Sequence, residues 1–371
     1  MKIAYLSNGY TTHDDLFIKA LDSGNHDIYF ISLYLKDKSV INRSIDSDHV
    51  FILENANYST ESITDSLRKI FRSISPDLVH SGPLTTCGYF ANLTDFQPLI
   101  VMSWGYDILI DYNTNSENKS RIKTALDNCS GFICDSKTIY KKSQEISSNI
   151  NRIESLIIPW GTEPEIFFPN DELSSVRGKL GWQNNIVILS NRAWEPIYKI
   201  DIVLESFLYA YHRDSKLRLI LIGSGSQAEF VKTFIKNNHL EDVCFLPGRL
   251  NHNSLPDYYN ASDIYLSCSE SDGTSVSLLE ALSTDLLPIV TNIESNEEWV
   301  QHNSNGYLGE LNNSVHFGNC ILNGSKCIIE KTFFWKTKNR EIAVNRANWK
   351  LNVISLLNYY ESIKIKNPLH R

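Results

Sequence analysis

Short runs of β-branched and aromatic residues, each bounded by turn residues, alternate along the chain with longer stretches of helical period. In the first part the strand-like runs are "KIAYLS", "HDIYFISLYL", "HVFIL", "DLVH", "PLIVMSW", "GFICDS" and "IESLIIPWG", with "DDLFIKAL" and "STESITDSLRKIFRSI" as helical patterns between them. Such alternation predicts a doubly wound parallel sheet, a Rossmann-like domain over residues 1–165. After "PWGTEPEIFFPNDE" the pattern restarts with "NIVILSN", "IDIVLESFLYAYH", "LRLILIGSG", "SQAEFVKTFIKNN", "DVCFLPG", "SDIYLS", "SVSLLEAL", "LLPIVTN" and "NEEWVQH". A second Rossmann-like domain over 166–349 is predicted. Residues from about 160 to 180, rich in Pro, Gly and acidic side chains, read as the linker, and a ligand is expected in the cleft where the carboxyl edges of the two sheets face each other.

Residues 310–335 are weakly patterned and read as mixed loop and short elements. "NREIAVNRANWKLNVISLLNYYESI" reads as one or two amphipathic helices. A closing helix over about 350–371 is expected to pack back on the first domain. No tandem repeat or low-complexity tract is present.

Composition narrows the class. The 371 residues are 42% hydrophobic and 21% charged, as in globular proteins, and exceed one comfortable core. A net charge of -8 argues against a nucleic-acid binder, which would have to neutralise many phosphates. Any basic site is therefore local. The start "KIAYLSNGY" has neither a signal-peptide h-region nor a membrane-spanning run, so a cytoplasmic location is expected. The seven cysteines, without a C-x-x-C pair, read as reduced and mostly buried thiols. "KSQEISSNINR" and "ESIKIKNPLHR" carry positive charge that suits contact with an anionic leaflet or an ordinary solvated helix face.

Candidate chemistry gathers in the second half. In "GSGSQAEF", Gly223 and Gly225 follow a strand and precede a helix, where backbone amides meet a nucleotide or where glycine merely supplies positive φ. "SNRAWEPIYKIDIVLESF" puts Arg192 just past a buried strand and Lys199 just before a helix. Two cations at one sheet edge suit phosphates, with solvated surface cations as the alternative. "SESDGTSVSLLEAL" places Asp272 at a helix mouth and Glu280 about two turns along it. Its Ser, Thr and Asp suit a helix cap, and the same amides suit a pyrophosphate. The two carboxylates can accept sugar hydroxyl protons.

With these pieces in series, the chain resembles the GT-B glycosyltransferases of family 4 (glycosyl transferases group 1), whose signature is Glu-x7-Glu. Asp272 takes the place of the first Glu here. "SPDLVHSGPL", "PLIVMSWGYDIL", "IPWGTEPEIFFP" and the stretch from "FLPGRLNHNSLPDYY" through "NSNGYL" extend the likeness over nearly the whole chain. The resemblance implies a GT-B fold of two Rossmann-like domains, a retaining mechanism and a nucleoside-diphosphate sugar of UDP or GDP type as donor. Neither a metal nor another cofactor is implied. Arg192 and Lys199 would hold the diphosphate, Glu280 the ribose, and Asp272 the sugar. The amides of Gly273, Thr274, Ser275 and Val276 would hold the distal phosphate, Gly248 and Arg249 the base, and Gly9 would admit the phosphates.

The chain departs from the family pattern at three places. Trp104 stands where many members have His, Lys199 lies two residues further from Arg192 than is common, and Thr162 and Glu163 replace Val-Asp. His13, His80, Trp104 and Asp107 are the acceptor candidates, with Asp107 serving equally as a helix cap. The implied acceptor is a carbohydrate or lipid-linked hydroxyl, in bacterial surface polysaccharide or glycoconjugate synthesis, with possible inner-leaflet contact and no nucleic acid. A non-catalytic nucleotide-sugar-binding subunit and a nucleotide-sugar epimerase or phosphorylase are the alternatives.

Overall fold

The computed structural model describes residues 1–35, 41, 45–53, 59–170 and 175–367. Residues 171–174 of the expected linker and 368–371 of the expected closing helix lie outside the described residues. The chain forms two units, Met1–Trp160 with Lys350–Arg371, and Gly161–Trp349.

The first unit is built on strands β1 (Lys2–Ser7), β2 (Asp27–Ser32), β3 (Val50–Ile52), β4 (Leu78–Ser81), β5 (Leu99–Met102), β6 (Gly131–Cys134) and β7 (Glu154–Ile157). They form one parallel sheet in the order β3-β2-β1-β4-β5-β6-β7. Central strands such as β4, β5 and β6 are buried throughout, as expected for a parallel sheet covered on both faces. The last helix, Trp349–Lys366, belongs from Lys350 onward to this unit. Its Tyr359 hydroxyl donates to the Glu154 carbonyl at 2.9 Å and lies 3.2 Å from that of Phe132.

The second unit holds β8 (Ile186–Ser190), β9 (Leu217–Ile222), β10 (Cys244–Gly248), β11 (Ile264–Ser267), β12 (Leu287–Thr291) and β13 (Tyr307–Gly309). Their order is β10-β9-β8-β11-β12-β13, again parallel. In each sheet the strand order reverses beside the first strand, between β1 and β4 and between β8 and β11. That reversal places the loops after those strands side by side at the carboxyl edge.

Two expectations change. Residues 161–170 are not a loose linker but part of the second unit. Phe167 is fully buried, and Arg340 donates to the carbonyls of Phe167 and Pro164 at 2.8 and 2.7 Å. Residues 314–329, within the stretch 310–335 expected as mixed loop and short elements, form one long helix, Ser314–Ile329. Gly318 and Gly324 weaken its intrinsic propensity, but they permit close packing: a Cβ at Gly318 would lie 2.4 Å from Tyr209 Cδ1, and one at Gly324 2.7 Å from Leu287 Cδ2. All seven cysteines are free thiols; six are buried and Cys327 is half-buried.

Candidate functional site

Arg192 lies two residues beyond β8 and Asp272 five beyond β11, and the two strands are hydrogen-bonded neighbours. Their loops therefore meet. Arg192 Nη2 donates to Asp272 Oδ1 at 2.6 Å, while Nη1 donates to the hydroxyls of Ser275 and Ser277 at 2.6 and 3.2 Å. The guanidinium also stacks over the Tyr198 ring, 4.3 Å from its centroid, a favourable cation–π contact. Both side chains of the ion pair are only 13% exposed. Burial opposes the charge on Arg192, but Asp272 more than offsets it and holds the guanidinium's pKa above its ordinary value. Burial likewise pushes the Asp272 carboxyl up, against the pull of Arg192.

Ser275 is the cap of the helix Val276–Ser283, its side chain accepting from the Leu278 amide. Thr274 and Ser275 are buried, and Gly273 and Val276 are half-buried beside them. The Asp272 carbonyl accepts from the Ser295 hydroxyl at 2.7 Å, which ties the loop to the neighbouring strand's helix. Lys199 caps the helix Ile200–Tyr211 with a left-handed backbone (φ 49°). Its Nζ pairs with Glu270 at 2.8 Å, and the Glu270 amide donates to the Ile197 carbonyl at 2.9 Å. The hydrogen bond to Glu270 raises the Lys199 pKa. Both cations thus reach the one loop, 269–277, that opens the helix.

Glu280 is 2% exposed. Its Oε2 accepts from the Tyr259 hydroxyl and its Oε1 pairs with His252 Nε2, both at 2.7 Å. Asn191 Nδ2 donates to the Tyr259 oxygen at 2.8 Å, linking this carboxylate back to the Arg192 loop. The hydrogen bond to Glu280 raises the His252 pKa against the effect of burial. A cavity of about 510 Å³ opens over Asn251, His252, Asn253 and Ser254.

Gly223 and Gly225 have φ of +150° and +159°, where a side chain is strained. A Cβ on Gly223 would lie 2.6 Å from the Arg192 carbonyl, and one on Gly225 2.4 Å from that of Trp194. The two glycines thus let the Arg192 loop seat against the next strand's turn, with Trp194 N–H donating to Ser224 at 2.9 Å. The Gly223 amide donates to the Gly248 carbonyl at 3.1 Å, so Gly248 shares in the same seat. Gly248 has φ +79° and open space at its Cβ position, and Arg249 after it is exposed.

In the first unit, Gly9 lies in the loop after β1 with nothing within 4 Å of a Cβ there. His13, in the first turn of the helix Thr12–Ser23, has its ring 6.0 Å from that of Trp104 and 6.3 Å from that of Trp160. Burial lowers the His13 pKa. Trp104 packs on Gly82, where a Cβ would lie 2.8 Å from the indole nitrogen.

Two acceptor candidates are buried and bonded within the first unit. Asp107 is fully buried and accepts from the Ser103 hydroxyl at 2.5 Å and from the amides of Leu84, Trp104 and Ile108 at 2.9, 3.2 and 2.9 Å. Its hydrogen bonds tie the turn 103–108 to Leu84, from inside the short helix Asp107–Asp111 rather than from its cap position, which is Tyr106. His80 is also fully buried, stacked 4.6 Å from Tyr5, with Nδ1 hydrogen-bonded to the Tyr360 hydroxyl. It is a core histidine of the first unit.

His252, Tyr259, Asn191, Ser277 and Glu270 were not legible as site residues. Tyr259 and Asn191 stand in no pattern that marks them. His252 had one available signal, a polar loop following a strand at the ligand-bearing edge of a Rossmann sheet.

Two family models match the chain: "Glycosyl transferase 4-like" over residues 2–136 and "Glycosyl transferases group 1" over 175–322. The Anabaena HepE protein, solved in complex with UDP, superposes with a TM-score of 0.79 at 17% identity, covering 98% of this chain and 100% of that one. The pneumococcal O-GlcNAc transferase GtfA superposes at 0.71 and 12% identity, covering 99% of each chain. Two parallel-sheet Rossmann-like units and these neighbours define the GT-B class. Within it, residues 175–322 match the glycosyl transferases group 1 and residues 2–136 the 4-like glycosyl transferases, which supports a group 1 glycosyltransferase.

Among curated relatives, alpha-monoglucosyldiacylglycerol synthase of Streptococcus pneumoniae is 25% identical over 210 residues, 54% of this chain and 43% of that protein. UDP-Gal:alpha-D-GlcNAc-diphosphoundecaprenol alpha-1,3-galactosyltransferase of Escherichia coli is 28% identical over 176 residues, 45% of this chain and 44% of that protein. The chain thus matches less than half the length of both relatives. Among the described residues, no helix is long and apolar enough to cross a membrane.

Proposed function

We propose that this protein is a retaining, metal-independent glycosyltransferase of an Asp-x7-Glu subgroup, moving a sugar from a UDP or GDP sugar to a carbohydrate or lipid-linked hydroxyl. One observation carries the reading: Arg192 and Lys199, on one loop, both reach the loop that opens the helix Val276–Ser283. Two cations beside a helix N-terminus suit a diphosphate whose charge grows as it leaves. Glu280, within that helix, accepts the ribose hydroxyls, and Asp272 faces the sugar while holding Arg192 in place.

In the transfer, the bond from the anomeric carbon to the distal phosphate oxygen breaks and one to the acceptor oxygen forms on the same face. The acceptor proton passes to the leaving phosphate. The chain's contribution is charge stabilisation and alignment. One relative is named for a glucosyl diacylglycerol and the other for a diphosphoundecaprenol-linked substrate, which supports a lipid-linked acceptor and peripheral contact with the inner leaflet. The same names support a role in bacterial surface glycoconjugate synthesis.

The test incubates the protein with a panel of UDP and GDP sugars, with and without a lipid-linked acceptor extract. Release of UDP or GDP and the anomeric configuration of the product are measured. Acceptor-dependent release with retention is expected. Binding without release would mark a non-catalytic subunit, and turnover without an acceptor would mark an epimerase.

A further inference from the structure

We infer that His252 is a positioning residue for nucleotide recognition: with Tyr259 it clamps the Glu280 carboxylate in the orientation that receives the ribose hydroxyls. The inference rests on the reading of Glu280 as the ribose grip and adds a residue which that reading does not contain.

A carboxylate oxygen has two lone-pair sites. His252 Nε2 and the Tyr259 hydroxyl, both at 2.7 Å, each take one site on a different oxygen. Among the described residues these are the side-chain partners of Glu280, so one site on each oxygen stays open for a further donor. A vicinal diol supplies two. The carboxylate is 3% exposed and the His252 ring 54%, and His252 also lines the cavity over residues 251–254.

The ring is itself held. Phe167 packs 5.1 Å from it and also 5.6 Å, edge-on, from Tyr259, so one buried aromatic supports both donors. The charged groups facing His252 are Glu280 and, more weakly, Glu163. Both favour the imidazolium, and the neutral ring donates as well when its proton is on Nε2, through a weaker bond. The clamp therefore needs an N–H at this position rather than a positive charge. Glutamine supplies one at similar reach.

Calorimetry distinguishes the possibilities. UDP and GDP, each with its 2′,3′-dideoxy analogue, are titrated into the full chain and into Glu280→Ala, His252→Ala and His252→Gln variants whose folding is checked by Tm. In the parent protein, removing the ribose hydroxyls weakens the preferred nucleotide by about tenfold. His252→Ala weakens the ribonucleotide by about tenfold and leaves the dideoxy analogue unchanged, while His252→Gln retains most of the parent affinity. In turnover, His252→Ala raises the donor KM with kcat nearly unchanged. If His252→Ala weakens both nucleotides alike, or neither, while Glu280→Ala abolishes the ribose preference, the His252 inference is overturned and the ribose grip stands. If the parent protein shows no ribose preference, or Glu280→Ala keeps it, the grip itself fails.

Discussion

Arg192 and Asp272 stand 80 positions apart in sequence and form a 2.6 Å ion pair at the carboxyl edge of one parallel sheet. The pair is both structural and, on the proposed function, catalytic. Removing one member leaves the other charge buried without a counter-ion.

Asp272→Asn keeps the shape of the side chain and removes its charge. We expect a loss of about 3 kcal/mol of stability, together with a fall in turnover of about a hundredfold. Urea unfolding and steady-state kinetics measure the two separately. Near-normal turnover in Asp272→Ala would sink the assignment of this carboxylate to the sugar.

Lys199 contrasts with Arg192 because its pair with Glu270 is exposed, the side chains being 24% and 50% accessible. Exposed pairs contribute little, so Lys199→Ala should change stability by less than about 1 kcal/mol. Turnover should still drop by about tenfold or more if the ammonium offsets diphosphate charge. A variant with parent-like kinetics would show that Lys199 serves only its helix cap.

Gly225→Ala and Gly9→Ala separate a structural glycine from one reserved for a ligand. At Gly225 the added carbon meets the Trp194 carbonyl at 2.4 Å on a left-handed backbone, so a loss of about 2 kcal/mol or more is expected. The Arg192 loop should shift with it. At Gly9 nothing lies within 4 Å, so stability should hold, and weakened donor binding there would reveal a nucleotide approaching that backbone. Thermal melts of both variants, followed by nucleotide titration, decide this.

His80 makes the first unit sensitive to acid. Burial lowers its pKa to about 3, from 6.5 in the unfolded chain. The folded state resists a proton that the unfolded state accepts, so its contribution is complete above about pH 6.5 and is lost as pH falls toward 3. His80→Gln keeps a partner for the Tyr360 hydroxyl but does not titrate. Its urea midpoint should fall less between pH 6.5 and 4 than that of the parent protein, whereas parallel curves would contradict the buried neutral imidazole. Asp14 and Asp107, whose pKa values burial raises, titrate in both proteins and cancel in the difference.

Elements with a clear period were readable from the chain. β8 is buried throughout, as its continuous apolar run predicts, the helix Ile200–Tyr211 buries residues at helical spacing, and Arg192 and Lys199 fall beside their ends. The helix Ser314–Ile329 was not readable, since its glycines count against a helix until the neighbours that need them are in place. Asp107 was equally a cap or an acceptor group from sequence, because both roles ask for a carboxylate after a strand. Four hydrogen bonds from Leu84, Ser103, Trp104 and Ile108 hold the buried carboxylate within its own turn, one residue inside the helix whose cap is Tyr106.

Local order alone determined the two Rossmann-like units, because hydrophobic period and turn chemistry act over a few residues. It also determined which stretch, "SESDGTSVSLLEAL", carries the acidic helix mouth. What the tertiary structure decided is how that stretch is used. Strand order brings Arg192 to Asp272, and the folding of the connection between β10 and β11 against the helix Val276–Ser283 gives Glu280 two donors, His252 and Tyr259. Such pairings depend on which loops share a sheet edge, and that is a property of chain crossover to which no local period is sensitive.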